Sequence, residues 1–352
     1  MHDRQQFTPA RRVRATVVAT ALALVAAGGL AACGSSDDGG GGTATGGGAK
    51  AEDLKFAYLA KQADAPYFVE QLNAAKAKAE ELGVELTTQD LQLDTGLALD
   101  ALDTVISQGS DGVVIVVPDQ QIGPAVMRKA QAAGIPLIAS DDVIEDSDGR
   151  PAPYVGLDNG AVGEQVGRAV SDLYAAAPWR DDVEKVGIAA VELRTLDVCN
   201  ERTDGAKRAF FAANPDFPTG NVVSVPYDGS TNKAIDAMTT VITANSKYER
   251  WLIWSCNDAG VQGAVRALER ADIRGGDAIG VGLDGSLSCD EFKRGESSFA
   301  ASIFLDPRKE GETSVQELYD FHVRGTPIPE RVDFPGTLID RENVGDVVPG
   351  CR

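Results

Sequence analysis

From residue 54 to residue 281 the chain repeats one rhythm, in which a short apolar run is followed by a longer amphipathic stretch and then another apolar run. Runs at 54–59, 84–87, 112–117 and 136–139 read as strands, and 112–117 is apolar throughout, as in a strand buried on both faces. Between them, 66–82 places Phe68, Leu72, Ala75, Ala79 and Leu82 on one helical face, and Gly83 ends the helix. Helices are also predicted over 98–108 and 123–133. Strands that alternate with helices in this way form a parallel sheet covered by those helices. After a polar loop at 145–150 the rhythm restarts, with helices over 161–176, 200–213, 232–243 and 260–271 and strands over 186–191, 222–225, 251–254 and 278–281. The 352 residues, 43% of them hydrophobic, are enough for two such α/β lobes, each with its own core.

Open α/β sheets bind ligands beyond the carboxyl ends of their strands, and two sheets facing each other make a cleft that closes by hinge motion. Polar residues fall at those ends here. Lys61 and Gln62 follow the first strand, Asp119 the third, and Asp141 with Asp142 the fourth. In the second lobe Asn257 and Asp258 follow the strand at 251–254, and Asp284 follows the one at 278–281. Any one of these serves equally well as a helix or turn cap. Five strands ending this way are harder to assign to capping alone.

Composition removes several alternatives. Fifty-three Asp and Glu against 33 Lys and Arg give a formal charge of −20, which opposes nucleic-acid binding by phosphate neutralisation. Only His2 and His322 occur, so sites built on several histidines are excluded, and a Ser-His-Asp triad would have to use His322. No Gly-x-Ser-x-Gly elbow appears. Asp141 and Asp142 are adjacent on one loop, where their side chains diverge, so they do not straddle a bond as paired glycosidase carboxylates must. The charge runs Glu80-Glu81 and Asp181-Asp182 read as solvated faces, and Trp251 as a packing residue, while for Trp254 packing is one of two open readings.

The first residues read as an address. Arg4, Arg11, Arg12 and Arg14 precede an apolar run over 15–32 that ends in Leu30-Ala31-Ala32-Cys33-Gly34, followed by a Gly-rich stretch. A basic start, an apolar centre and small residues before the cut describe a secretory signal over 1–32. Leu-Ala-Ala-Cys resembles the lipobox of bacterial lipoproteins, which implies lipidation of Cys33, a flexible tether over 33–52 and a body held at the outer face of the cell membrane. Cys199, Cys256, Cys289 and Cys351 remain in a compartment that permits disulfides; three full pairings are open, as are free buried thiols.

The segments Leu59-Ala60-Lys61-Gln62 with Pro66-Tyr67-Phe68, Pro118-Asp119, Asp141-Asp142, Arg202-Thr203-Asp204-Gly205, Trp251-Leu252-Ile253 with Asn257-Asp258, and Ile279 to Gly285 resemble, in order and spacing, the periplasmic sugar-binding proteins of ABC importers, most of all their L-arabinose-binding branch. The resemblance implies two Rossmann-like lobes with parallel sheets joined by a three-crossing hinge. It places the crossings near 155–161, 303–306 and 332–338, which divides the body into a first lobe of 53–157 plus 304–337 and a second of 158–303 plus 338–352. The first lobe then also takes a helix over 310–323. By the same resemblance Lys61 hydrogen-bonds ring oxygens and hydroxyls, Tyr67 stacks on the sugar with Phe68 beside it, Asp141 and Asp142 accept hydroxyl protons, Arg202 donates twice and Asn257 both donates and accepts. Asp284 stands where the arabinose proteins have Asn; Asn159 and Cys256 stand where they have Met, Val198 where they have Thr, Ala65 where they have Glu, and Tyr67 where they have Trp. The polar groups are thus redistributed, so another pentose, a hexose or a polyol fits as well as L-arabinose.

What the resemblance implies is a monomeric, non-enzymatic capture protein that needs no cofactor or metal and passes its ligand to a permease. The rival reading of the same body is a receptor component read by a sensor. A repressor with this body is excluded, because its N-terminus would carry a DNA-binding helix pair where this chain has an export signal.

Overall fold

A computed structural model of the chain describes residues 48–64 and 66–351. The expected signal at 1–32, the lipidation of Cys33 and most of the tether lie outside the described residues, as does Ala65. The last part of the expected tether is docked: Gly48 and Ala49 donate backbone hydrogen bonds to Val323 and His322.

The first half of the chain runs β1 (Lys55–Ala60), α1 (Pro66–Leu82), β2 (Glu85–Asp90), α2 (Thr95–Ser107), β3 (Gly112–Ile115), α3 (Gly123–Ala133), β4 (Leu137–Ser140) and β5 (Tyr154–Leu157). The second runs α4 (Asn159–Ala176), β6 (Val186–Glu192), α5 (Asp197–Ala213), β7 (Val222–Pro226), α6 (Thr231–Ala244), β8 (Arg250–Ser255), α7 (Asp258–Arg270), β9 (Ala278–Asp284), α8 (Ser288–Lys293) and β10 (Phe299–Phe304). It is followed by α9 (Pro307–Tyr319), β11 (Arg331–Phe334), β12 (Thr337–Ile339) and α10 (Val344–Val347).

Two six-stranded sheets result, ordered β11-β5-β4-β3-β1-β2 and β12-β10-β9-β8-β6-β7. Each half uses the same order, with its first strand between its second and third, and every pairing is parallel except β10 with β12. This is the two-sheet α/β fold that the alternation predicts. The chain passes between the sheets at residue 158, at 305–306 and at 335–336.

The differences from the sequence reading lie at those passages. The expected first hinge, 155–161, begins inside β5 and ends inside α4, and the second begins inside β10. β5 has only four residues, one of them Gly156, and β11 and β12 are as short. Runs of that length carry too little periodicity to read as strands until a neighbouring sheet edge supplies their hydrogen bonds. The helix expected over 310–323 starts at Pro307, capped by Asp306, and ends in a wider π-turn over Asp320–Arg324.

A core cluster covers each face of each sheet. In the first sheet one face buries Leu59, Leu102, Ile115 and Val126, and the other Phe56, Tyr58, Leu72 and Leu318. In the second, Trp251 and Trp254 are fully buried and, three residues apart on β8, serve opposite faces. His322 is structural, its Nε2 within 3.0 Å of the Asp111 carbonyl and its ring against Phe56. The four cysteines of the body pair as Cys199–Cys256 and Cys289–Cys351, one of the three open pairings.

Helix α4 packs on α5 through small residues. A Cβ on Gly163 would stand 2.1 Å from the Arg202 carbonyl oxygen, and one on Gly167 2.1 Å from that of Ala206. Glycine at these positions lets two helix backbones approach closely. The contact brings the first turn of α4 beside Arg202.

Candidate functional site

Lys61, the residue after β1, lies between the two carboxylates that follow β4: its Nζ donates to Asp141 Oδ2 at 2.8 Å and to Asp142 Oδ2 at 2.5 Å. All three side chains are partly buried, between 15% and 20% exposed. Burial alone would discharge the lysine, but the two carboxylates outweigh it and hold it protonated far above its ordinary range. One cation does not neutralise two anions. Burial and then the Asp141 charge push Asp142 up to about 6, against the pull of Lys61 and Arg202. Phe68 is buried in the core beneath this group, its ring centroid 5.1 Å from Lys61 Nζ.

From the other sheet comes Arg202, on α5. Its Nε donates to Asn159 Oδ1 at 2.9 Å and its Nη1 to the Cys256 carbonyl at 3.2 Å. Asn159 opens α4, whose first turn Asp158 caps. The guanidinium acts on groups of both sheets, since its charge works against the upward push on Asp142 and Tyr67 in the first and on Tyr227 and Asp284 in the second. Tyr67 lies between the two, packed against core clusters of both sheets.

A cleft of about 670 Å³ opens beside these residues. Its walls come from both halves, with Asp141, Asp142, Gln120 and Glu145 on one side and Asn159, Val198 and Glu201 on the other. Asp141, at the end of β4, and Asp284, at the end of β9, both have left-handed backbones, with φ of 62° and 93°. They occupy equivalent places in the two sheets. Aspartate tolerates that region better than most residues, and backbone strain of this kind gathers at functional sites.

The remaining expected residues serve the scaffold first. Asn257 caps α7, its Oδ1 accepting from Gly260 N and from the Tyr227 hydroxyl, both at 2.9 Å. Asp284 accepts from Ser286 N at 2.7 Å, and burial pushes it above the ordinary carboxylate range. Asp119 is exposed and accepts from Gln121 N at 2.8 Å, which makes it a turn cap and not a cleft group. Cys256 is corrected as well: its sulfur is bound to Cys199 in the core, so its side chain offers nothing to a ligand, and only its carbonyl reaches a cleft residue.

One buried carboxylate, Glu310, escapes the sequence reading, which places a second, Asp258, at a strand end without a role toward the ligand. Glu310, on α9, is fully buried; it accepts from the Tyr67 hydroxyl at 2.9 Å and from Gln71 Nε2 at 2.6 Å. Burial, then Asp141, raises its pKa well above the carboxylate range. Asp258, likewise fully buried, accepts from Ser302 Oγ at 2.6 Å, Leu287 N at 3.0 Å and Ser288 Oγ at 3.2 Å. Burial and Asp284 push it upward. Glu310 stands among Arg308, Lys309 and Glu312, a setting that reads as a solvent face, and its burial comes from packing against other elements, Tyr67 and Gln71 of α1 among them.

Two like-ordered parallel sheets, joined by three short passages around a shared polar cleft, define a two-lobed binding protein. A family model for the periplasmic binding protein domain matches residues 56–325, and the chain belongs to that family. It is 30% identical over 299 residues to the ABC transporter L-arabinose-binding periplasmic protein of Azospirillum brasilense, covering 82% of this chain and 87% of that one. Its identity to the L-arabinose-binding periplasmic protein of Escherichia coli is 29% over 301 residues, with 84% and 90% covered. A solved structure described as a periplasmic ribose ABC transporter from Conexibacter woesei matches with a TM-score of 0.74 at 21% identity, over 86% of this chain and 97% of that one. At that identity the likeness is one of fold.

Proposed function

We propose that this protein captures a monosaccharide in the cleft between its lobes and passes it unaltered to an ABC permease. A pentose such as L-arabinose is the first candidate and a hexose the next. The observation that carries the reading is the facing pair of groups, Lys61 with Asp141 and Asp142 from one sheet and Arg202 with Asn159 from the other. Each hydroxyl of a sugar donates and accepts at once. A site for it therefore combines carboxylate acceptors, cationic donors and an amide, with an aromatic face for the C–H side, here Tyr67. In a closed cleft any hydroxyl left unpaired costs about 1–3 kcal/mol, which separates epimers. The names of the two arabinose-binding relatives support a pentose.

The same reading assigns residues 53–157 plus 304–337 to one lobe and 158–303 plus 338–352 to the other, with the passages at 158, 305–306 and 335–336 as the hinge. The body works as a monomer outside the cytoplasm, tethered through lipidated Cys33. Hinge closure around the sugar makes the form that the permease reads.

The test is a thermal-shift screen of the body against L-arabinose, D-xylose, D-ribose, D-galactose and myo-inositol, followed by calorimetry. One sugar should stabilise the protein by about 2.7 kcal/mol at a hundredfold its Kd and be recovered unchanged. No shift with any member of the panel, or conversion of the sugar, overturns the reading. Retention of labelled palmitate by the native chain and its loss in Cys33→Ser tests the anchor.

A further inference from the structure

We propose that the Cys199–Cys256 disulfide is a positioning device for the cleft, holding the helix that carries Arg202 against the loop that carries Asn257. The inference rests on the sugar reading of that cleft and adds to it what sets the geometry of the second lobe's contacts. Cys199 precedes Arg202 by three residues in the first turns of α5, so the two side chains share a helix face. Cys256 directly follows β8 and directly precedes Asn257. The covalent bond therefore joins the two segments at the points from which these polar side chains project. It is buried, with Cys199 6% and Cys256 1% exposed.

One weaker bond repeats the link, and others hold each segment in place. Arg202 Nη1 donates to the Cys256 carbonyl at 3.2 Å, while Thr203 Oγ1 donates to the Cys199 carbonyl at 2.9 Å. The Tyr227 hydroxyl is 3.1 Å from Cys256 Sγ and donates to Asn257 Oδ1 at 2.9 Å. A guanidinium on a long side chain has many rotamers, and a site that must meet several hydroxyls at once gains from having the base of that side chain fixed beforehand.

The second disulfide is the internal control. Cys289–Cys351 spans 62 residues of sequence and Cys199–Cys256 spans 57, so in the chain-entropy account the two contribute nearly equally to stability. Cys289–Cys351 joins α8 to the end of the chain and flanks neither Arg202 nor Asn257. Differences between the two in sugar affinity then report position, not general stiffness.

The test compares the native protein with Cys199→Ser/Cys256→Ser and with Cys289→Ser/Cys351→Ser. L-arabinose and the rest of the sugar panel are titrated calorimetrically, and hydrogen exchange is followed over residues 197–205. Both double variants should melt lower by similar amounts. Only the first should bind at least tenfold more weakly and exchange faster over 197–205. Arg202→Lys should weaken native binding, yet add less than threefold once the Cys199–Cys256 bond is gone, because the two losses act through the same group. If Cys199→Ser/Cys256→Ser does not fold, the Cys289→Ser/Cys351→Ser variant before and after reduction with a phosphine gives the comparison, because Cys199–Cys256 is the disulfide it retains. Unchanged affinity, or equal losses from the two disulfides, overturns the proposal. Failure of every sugar to bind the native protein overturns the sugar reading instead. The exchange measurement then still decides the positioning role, and protection over 197–205 that is unchanged by removal of the bond refutes it.

Discussion

Arg202 Nε donates to Asn159 Oδ1 across 2.9 Å, tying the helix after the second sheet's first strand to the residue that follows the chain's first passage between sheets. On the proposed reading, ligand recognition and lobe movement meet in that bond. Arg202→Ala should weaken sugar binding by about 1.5–3 kcal/mol, roughly 10- to 100-fold in Kd, with the fold intact. Calorimetry alongside far-ultraviolet circular dichroism checks this; native affinity in the variant would remove Arg202 from the site.

On the proposed sugar reading, the Lys61 group should make stability and affinity respond to pH in opposite directions. Asp142 rises from 3.8 to about 6 in the folded protein. The folded state therefore binds this proton more tightly than the unfolded one, and the stability it lends is complete below 3.8 and is lost as pH rises through 6. The raised carboxyls of Glu310, Asp258 and Asp284 act with the same sign. Affinity for the sugar should instead increase through pH 6, as Asp142 becomes an ionised acceptor. Melting and calorimetry at half-unit steps from pH 4 to 8 measure both slopes; slopes of equal sign would contradict this account of the group.

Glu310 tests what a buried carboxyl without a cation contributes. Glu310→Ala strands the Tyr67 hydroxyl, at about 1–3 kcal/mol, and leaves the Gln71 amide only its 3.2 Å bond to Ser140 Oγ. Glu310→Gln keeps an acceptor for Tyr67, and Gln71 Oε1, which has no partner among the described residues, can turn to receive the new amide. It should cost under about 1 kcal/mol near pH 5 and gain on the native protein as pH rises, because the native carboxyl loses its proton and the amide has none to lose. Urea unfolding at the two ends of the range decides the matter.

Gly163→Ala would bring a methyl against the Arg202 backbone carbonyl, which neither helix can move without unpacking the other. It should destabilise by about 1–3 kcal/mol and also weaken sugar binding, since the strain falls on the arginine's own residue. Gly220→Ala, where added atoms meet nothing within 4 Å, serves as the control. Equal behaviour of the two variants would show that the α4–α5 contact tolerates separation.

The α/β alternation, the equal division into two series and the polar residues at strand ends were legible in the chain, because they depend on side chains two to four positions apart. That is why α1 and α3 fall on their predicted bounds, and why Lys61, Asp141 and Asp142 stood out as site candidates. The tertiary structure decided everything that joins distant residues. Tyr67 and Glu310 meet across 243 positions, and Cys199 finds Cys256 across 57, through packing that no local period encodes. It also decided which side of a residue is covered. Asp119 and Asp142 are alike as strand-end carboxylates, but one projects into solvent and caps a turn while the other is enclosed beside Lys61. A short segment such as β5 becomes a strand only when its neighbours present paired edges, and that condition belongs to the assembled sheet, not to its four residues.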